Sequence, residues 1–240
     1  MHQAFIDIKA KLATSSSLTF HLGRQEFLYG SQRLLSVMEG PNNRQSFDAI
    51  RSLLNSGNYK VDLFYSHRVA AEKKIFDDVL NKNTKLWGAY IVKNKLPVPK
   101  NADLCYLGLW RRHTAFNDGQ GKELGHSIGS RIWNSSGDWK YDMEGLYQLE
   151  KFAFKTIAAW TGSVITSCTF NKAKLKPGIG LKTELISGEK HFDDDKLKTF
   201  NPPFPRGAYF GLAALIGPCQ FNRCASILIT INYEKTGPCT

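Results

Sequence analysis

Apolar and polar positions alternate along this chain in two rhythms. From Asp142 to Trp160, the residues Leu146, Leu149, Ala153, Ile157 and Trp160 recur at intervals of three or four, the stripe of an amphipathic helix. The spacing predicts a long helix there and two shorter ones earlier. Ser46 is placed to cap a helix carrying Phe47, Ile50, Leu53 and Leu54, which Asn55-Ser56-Gly57 then stops. Val69 to Leu80 gathers Ala71, Ile75, Phe76, Val79 and Leu80 on one broad face. The second rhythm has period two. Val61, Leu63 and Tyr65 alternate along one strand, and Ile227, Ile229, Ile231 and Tyr233 form one face of Ala225–Tyr233. Leu86–Val92 and Leu104–Trp110 are nearly continuous apolar runs, as in buried strands.

These elements mix without a steady βαβ order. The fold class expected is therefore α+β, with antiparallel sheets, a β-sandwich being one form, and several added helices. One domain over 1–240 fits the length, with a basic, helix-rich part over about 1–100 and a sheet with the long helix over about 101–240. Asn201-Pro202-Pro203-Phe204-Pro205 reads as a stiff extended connector, because its three prolines lack amide donors and fix φ. No apolar run approaches the roughly 20 residues of a membrane-spanning helix. Asp7, Lys9 and Lys11 interrupt the first residues, so no ordinary signal peptide is expected. The resulting expectation is a soluble, cytoplasmic protein without a membrane span.

Charge adds a partner class. The chain carries 32 Lys and Arg against 21 Asp and Glu, a net +11, and residues 1–100 hold the largest share of the excess. An anionic partner is expected, a nucleotide or RNA among the candidates. The predominance of lysine over arginine argues against base-specific reading. Trp110-Arg111-Arg112-His113 is the dense basic-aromatic cluster, able to stack on a base and clamp a phosphate, or equally to end a strand at a subunit contact.

Candidate chemistry is sparse. Gly125-His126-Ser127-Ile128-Gly129 matches the G-x-S-x-G string of a serine hydrolase, with Ser127 as nucleophile, His191 as base and Asp138 or Asp142 as the orienting acid. The polar residues before it and Asn134-Ser135-Ser136-Gly137 after it leave little room for the strand and helix that such a turn requires, so a loop is expected. His191-Phe192-Asp193 lacks a second histidine downstream and reads as an acidic turn, so no metal site is expected. Pro177-Gly178-Ile179-Gly180 reads as a turn. Cys105 and Cys168 sit in apolar surroundings as inert thiols, whereas Cys219, Cys224 and Cys239 are candidates for assembly contacts. No resident cofactor is expected, a nucleotide being the one candidate.

Cys219-Gln220-Phe221-Asn222-Arg223-Cys224, leading into Ala225–Tyr233, resembles the corresponding region of the cypovirus polyhedrins. That resemblance implies a β-sandwich with added helices, trimers, an intracellular crystal that embeds virions, and nucleotides at subunit contacts that Arg111 and Arg112 serve. The function expected is therefore a non-enzymatic, self-assembling viral structural protein of the occlusion-body or coat type, partnered by itself as a homo-oligomer or lattice and by virions in host-cell inclusions. A basic RNA-binding nucleoprotein or matrix protein and the serine hydrolase stand as alternatives.

Overall fold

The computed structural model describes residues 3–37, 44–70, 78–116, 119–152, 155–173, 177–188, 196–206 and 226–232. Among them there is no helix. The strands are β1 (Ala4–Ala13), β2 (Ser16–Gln25), β3 (Phe47–Ser56), β4 (Tyr59–Ala70), β5 (Val79–Asn94), β6 (Asn101–Phe116), β7 (Gly119–Asn134), β8 (Trp139–Phe152), β9 (Lys155–Thr169), β10 (Gly178–Ile186), β11 (Lys196–Leu197) and β12 (Ser226–Asn232). They form one sheet in the order β1-β2-β3-β4-β5-β6-β7-β8-β9-β10-β12. Every neighbour on this path is antiparallel, and β11 pairs in parallel with the start of β9 at Thr156 and Ile157.

The α+β expectation is thus corrected to all-β among the described residues, and wherever the expected helices fall on those residues the structure has strand. Residues 47–56 are β3, in which Phe47, Ala49 and Leu53 lie on one face while Ile50 and Leu54 lie on the other. Val69 and Ala70 end β4, Val79 and Leu80 open β5, and 71–77 lie outside the described residues. The stripe over 142–160 is divided between β8 and β9, whose register pairs Gln148 with Ala159 and Gly145 with Gly162. Leu146 and Ile157 belong to one face and Leu149 and Trp160 to the opposite one, so the three-and-four spacing arose from apolar residues on both sides of two strands. The strands expected at 61–65, 86–92 and 104–110 are present within β4, β5 and β6, and the described part of the one expected at 225–233 is β12. Pro177-Gly178-Ile179-Gly180 leads into β10 rather than forming a turn of its own.

Two features separate this sheet from that of a soluble domain. First, the strands are long: β5, β6 and β7 each have 16 residues, β9 has 15 and β8 has 14, against a common strand length of about 5–6. Second, the polarity is inverted. One face is covered by two irregular segments, 26–37 and 198–206, joined by a parallel bridge between Leu35 and Phe204 and by hydrogen bonds from Ser36 N to Phe204 O and from Phe204 N to Leu34 O. Phe27, Tyr29, Leu34 and Leu35 of the first segment and Phe200 and Phe204 of the second pack with Phe47, Phe64, Leu86, Leu107, Leu109 and Leu146 of the sheet to make the core. The other face is open, yet it carries large apolar side chains: Ile8 and Ile50 at 55% and 62% exposure, Leu104 and Ile128 at 58% each, with Leu63, Tyr147, Trp160 and Leu181 alongside. Trp87 lies flat over Gly108 on this open face, where a Cβ at residue 108 would fall 2.1 Å from the indole.

The connections are unequal at the two ends. At one end the strands are joined through 14–15, 57–58, 95–100, 135–138 and 170–177; at the other the connections are 26–46, 71–78, the two-residue 117–118 and 153–154, and the long run between β10 and β12, so that end has the greater total length of chain. These are called the turn end and the loop end below.

Candidate functional site

The covered face is where charge concentrates. Antiparallel partners share a face, so the register places Arg51, Asp62, Asp103, Arg111, Glu123, Arg131, Asp142, Glu144, Glu150 and Glu184 on that one side of the sheet. Several are removed from solvent: Asp62 is 6% exposed, Asp103 4%, Glu150 2% and Glu123 fully buried. A charge so placed is sustained only by pairing and hydrogen bonding, which Asp62, Asp103 and Glu123 have, whereas Glu150 Oε2 is buried without a partner among the described residues.

That pairing runs across neighbouring strands. Arg51 Nε donates to both Asp62 oxygens at 2.8 and 3.0 Å. Arg131 donates to Asp142 through Nε at 2.7 Å and Nη2 at 2.6 Å, with Asp103 at 3.7 Å, and Tyr90 donates its hydroxyl to Asp103. Arg111 lies 3.3 Å from Glu123, which also accepts from Thr114 Oγ1 at 2.7 Å.

The two covering segments plug into this charged wall. Tyr29 donates to Asp62 at 2.6 Å, and burial beside that carboxylate holds its phenol well above its ordinary pKa. Arg33 reaches Glu144 at 2.9 Å and also Glu184, while Ser31 donates to Glu144. From the second segment, Asn201 N donates to Gln148 Oε1 and Gln148 Nε2 to Asn201 O, both at 2.9 Å, and Arg111 Nη2 donates to Pro203 O at 3.0 Å. The proline connector is therefore an inward strap. No sequence signal marked Arg33, Glu144 or Glu184, because each is a single charge in an unremarkable local context and they meet only through the fold.

The residues singled out for chemistry are not brought together. Ser127 is 3% exposed on the covered face of β7, where Gln148 Nε2 approaches its hydroxyl at 3.4 Å. Asp138 lies in the β7–β8 turn bonded to Asn171, about 23 Å of strand from Ser127. Asp142 is engaged by Arg131. His191 lies outside the described residues, as do Cys219, Cys224 and Cys239. The string 125–129 is neither a sharp turn nor the expected loop but the middle of a strand. Its glycines have packing reasons: a Cβ at Gly125 would meet Glu150 Cγ at 2.9 Å, and one at Gly129 would meet Leu146 Cδ2 at 2.2 Å. Nor do Trp110, Arg111, Arg112 and His113 form one cluster. Arg111 faces the covered side, Trp110 the open side, and Arg112 and His113 occupy an irregularity in the β6–β7 register. Among the described residues no group of three or more metal-binding side chains assembles.

A sheet whose central strands, β4 to β9, exceed the roughly 9–11 residues needed to cross a bilayer, apolar outward and charged inward, has the design of a transmembrane β-barrel wall. From β2 to β10 the backbone groups are paired with a strand on each side, as hydrocarbon requires. The comparison with protein families agrees. A family model described as alginate export matches residues 1–218, and the chain belongs to that family of outer-membrane β-barrel proteins. No curated protein and no solved structure matches the chain.

This membership overturns the polyhedrin resemblance, and with it the viral structural function, the occlusion-body assembly and the cytoplasmic location; the family belongs to a membrane. The resemblance rested on 219–233, mostly outside the described residues, whereas the family match spans nearly the whole chain. Among the described residues no helix is long and apolar enough to cross a membrane, which leaves crossing by strands untouched.

Proposed function

We propose that this chain forms wall of a β-barrel conduit through which an anionic polysaccharide crosses the outer membrane, the polymer passing along the charged face. The observation that carries this reading is the inverted polarity: buried charges line the covered face while isoleucines, leucines and aromatic rings stand exposed on the other. Alginate is a polyuronate with one carboxylate per sugar. Lys11, Lys60 and Lys140 sit at the turn end of the covered face, exposed and without an ion pair among the described residues, and the exposed Lys9 is 3.8 Å from Asp7. Lysines free at a mouth attract a polyanion over a Debye length of about 8–10 Å, whereas the arginines deeper inside are already paired.

Segments 26–37 and 198–206 occupy that face, so a polymer passes only when they yield. The test is conductance of the full chain in planar bilayers. Arg33→Ala removes the hold on Glu144 and Glu184 and is expected to conduct more than the wild type. An oligouronate is expected to block that current, while a neutral oligosaccharide of equal length leaves it unchanged. Equal block by both sugars, or no conductance from either protein, overturns the reading.

A further inference from the structure

Apart from Arg111, the basic-aromatic residues of β6 have no part in the covered face, and the sheet gives them neighbours that the sequence did not suggest. Lys85, Trp110, Leu124 and Lys151 are successive register partners across β5, β6, β7 and β8, so they form one row on the open face at the loop end. Between Arg111 and Thr114 the register slips, which sets Arg112 and His113 together opposite Lys122. A bulge of two residues against one turns both toward the same side. Arg111 and Thr114 face Glu123 on the covered side, so Arg112 and His113 join the open face next to the row.

The patch has a consistent electrostatic character. Lys85 Nζ sits 5.2 Å from the Trp110 ring centroid, and Arg112, Lys122 and Lys151 are exposed. None of these four cations has an ion pair among the described residues, and no described acidic side chain shares the open face of β5–β8. By contrast, Arg24 on the same face is matched by Asp48 at 2.8 Å and Asp78 at 3.3 Å. Immediately toward the middle of the sheet the open face turns apolar, with Trp87, Leu149, Ile128 and Tyr147. Three strand spacings of about 4.8 Å put Lys85 and Lys151 about 14 Å apart.

A row of unpaired cations with a tryptophan, just past the edge of an apolar band, matches the boundary where acyl chains end and headgroups begin. In outer-membrane barrels the longer loops face outward, so this boundary belongs to the outer leaflet. We propose that Lys85, Trp110, Arg112, Lys122 and Lys151 form a binding site for a phosphorylated lipid headgroup of that leaflet. The cations contact phosphate oxygens and the indole anchors at the acyl boundary. The site lies on the opposite face from the polysaccharide path, and the inference rests on the membrane-barrel reading above.

The test uses the full chain reconstituted with lipid A, or with the same lipid stripped of its phosphates, and counts retained lipid by native mass spectrometry. The wild type is expected to retain the phosphorylated form preferentially, with retention falling about fivefold for each cation neutralised in Lys122→Gln, Lys151→Gln and Arg112→Gln. Lys9→Gln and Lys11→Gln at the turn end should leave retention unchanged, and β circular dichroism with vesicle flotation reports folding and insertion of every variant. Equal retention of the two lipids by an inserted chain overturns the site and leaves the barrel reading standing. Displacement of the lipid by soluble oligouronate overturns it in favour of a polymer site. A chain that does not float with vesicles overturns both readings.

Discussion

Replacing Ile128 by arginine distinguishes a lipid-facing sheet from a water-facing one. Ile128 is 58% exposed on the open face of β7, with Tyr106 and Tyr147 as its register neighbours. It lies six residues from Asn134, the turn-end limit of the strand, hence about 20 Å along the strand. At a tilt of 35–45° this is about 15 Å of depth, near the middle of a hydrocarbon layer about 30 Å thick. Arginine at that depth in a barrel costs about 2–4 kcal/mol, a shift of about 30- to 700-fold in the folding equilibrium. Ile132→Arg, two residues from the same strand end and 37% exposed, should cost only about 0–1 kcal/mol. In water, both substitutions at exposed positions would fall within about 0.5 kcal/mol of neutral. Guanidinium titration of the protein folded into vesicles, followed by tryptophan fluorescence, measures both. A cost for Ile128→Arg below about 0.5 kcal/mol, or one no larger than that of Ile132→Arg, refutes the assignment of the open face to lipid.

Three further outcomes follow from the packing and the charges. Gly108→Ala places a methyl within the Trp87 ring, 2.1 Å from its nearest atom, and overpacking of this kind costs about 1–3 kcal/mol; an unchanged denaturation midpoint would show that the ring moves aside freely. Arg131→Met leaves Asp103 and Asp142 without their cation and should destabilise by about 3–5 kcal/mol, whereas the added change Asp142→Leu should restore part of the loss in a double-mutant cycle. Tyr29 has its pKa raised by burial and by Asp62, so its phenol ionises first in the unfolded chain. Its contribution to stability is full below about pH 10 and is lost as the pH climbs above that value. Tyr29→Phe should flatten that alkaline limb, and an unaltered pH profile would count against the assignment.

The strands within β4, β5, β6 and β12 were legible because period-two alternation and continuous apolar runs are local properties. β3, β8 and β9 were not. Their covered face mixes Phe47, Leu146 and Ile157 with Arg51, Glu144 and Glu150, so hydrophobicity does not alternate cleanly and a period of three or four emerges by superposition. The candidate site was hidden for a related reason. Arg33, Glu144 and Glu184 are far apart in sequence, and only the inward folding of 26–37 gives them a common address.

The sequence by itself determined that the chain is basic, that several of its stretches alternate as strands do, and that no apolar run reaches the length of a membrane-spanning helix. It could not determine the chain's solvent. An exposed isoleucine and a buried glutamate are each tolerable alone; only the register shows that all such isoleucines share one face and all such glutamates the other. Tertiary structure decided that question because a strand's side-chain period assigns residues to faces, while pairing with distant strands decides which face meets lipid and which is covered.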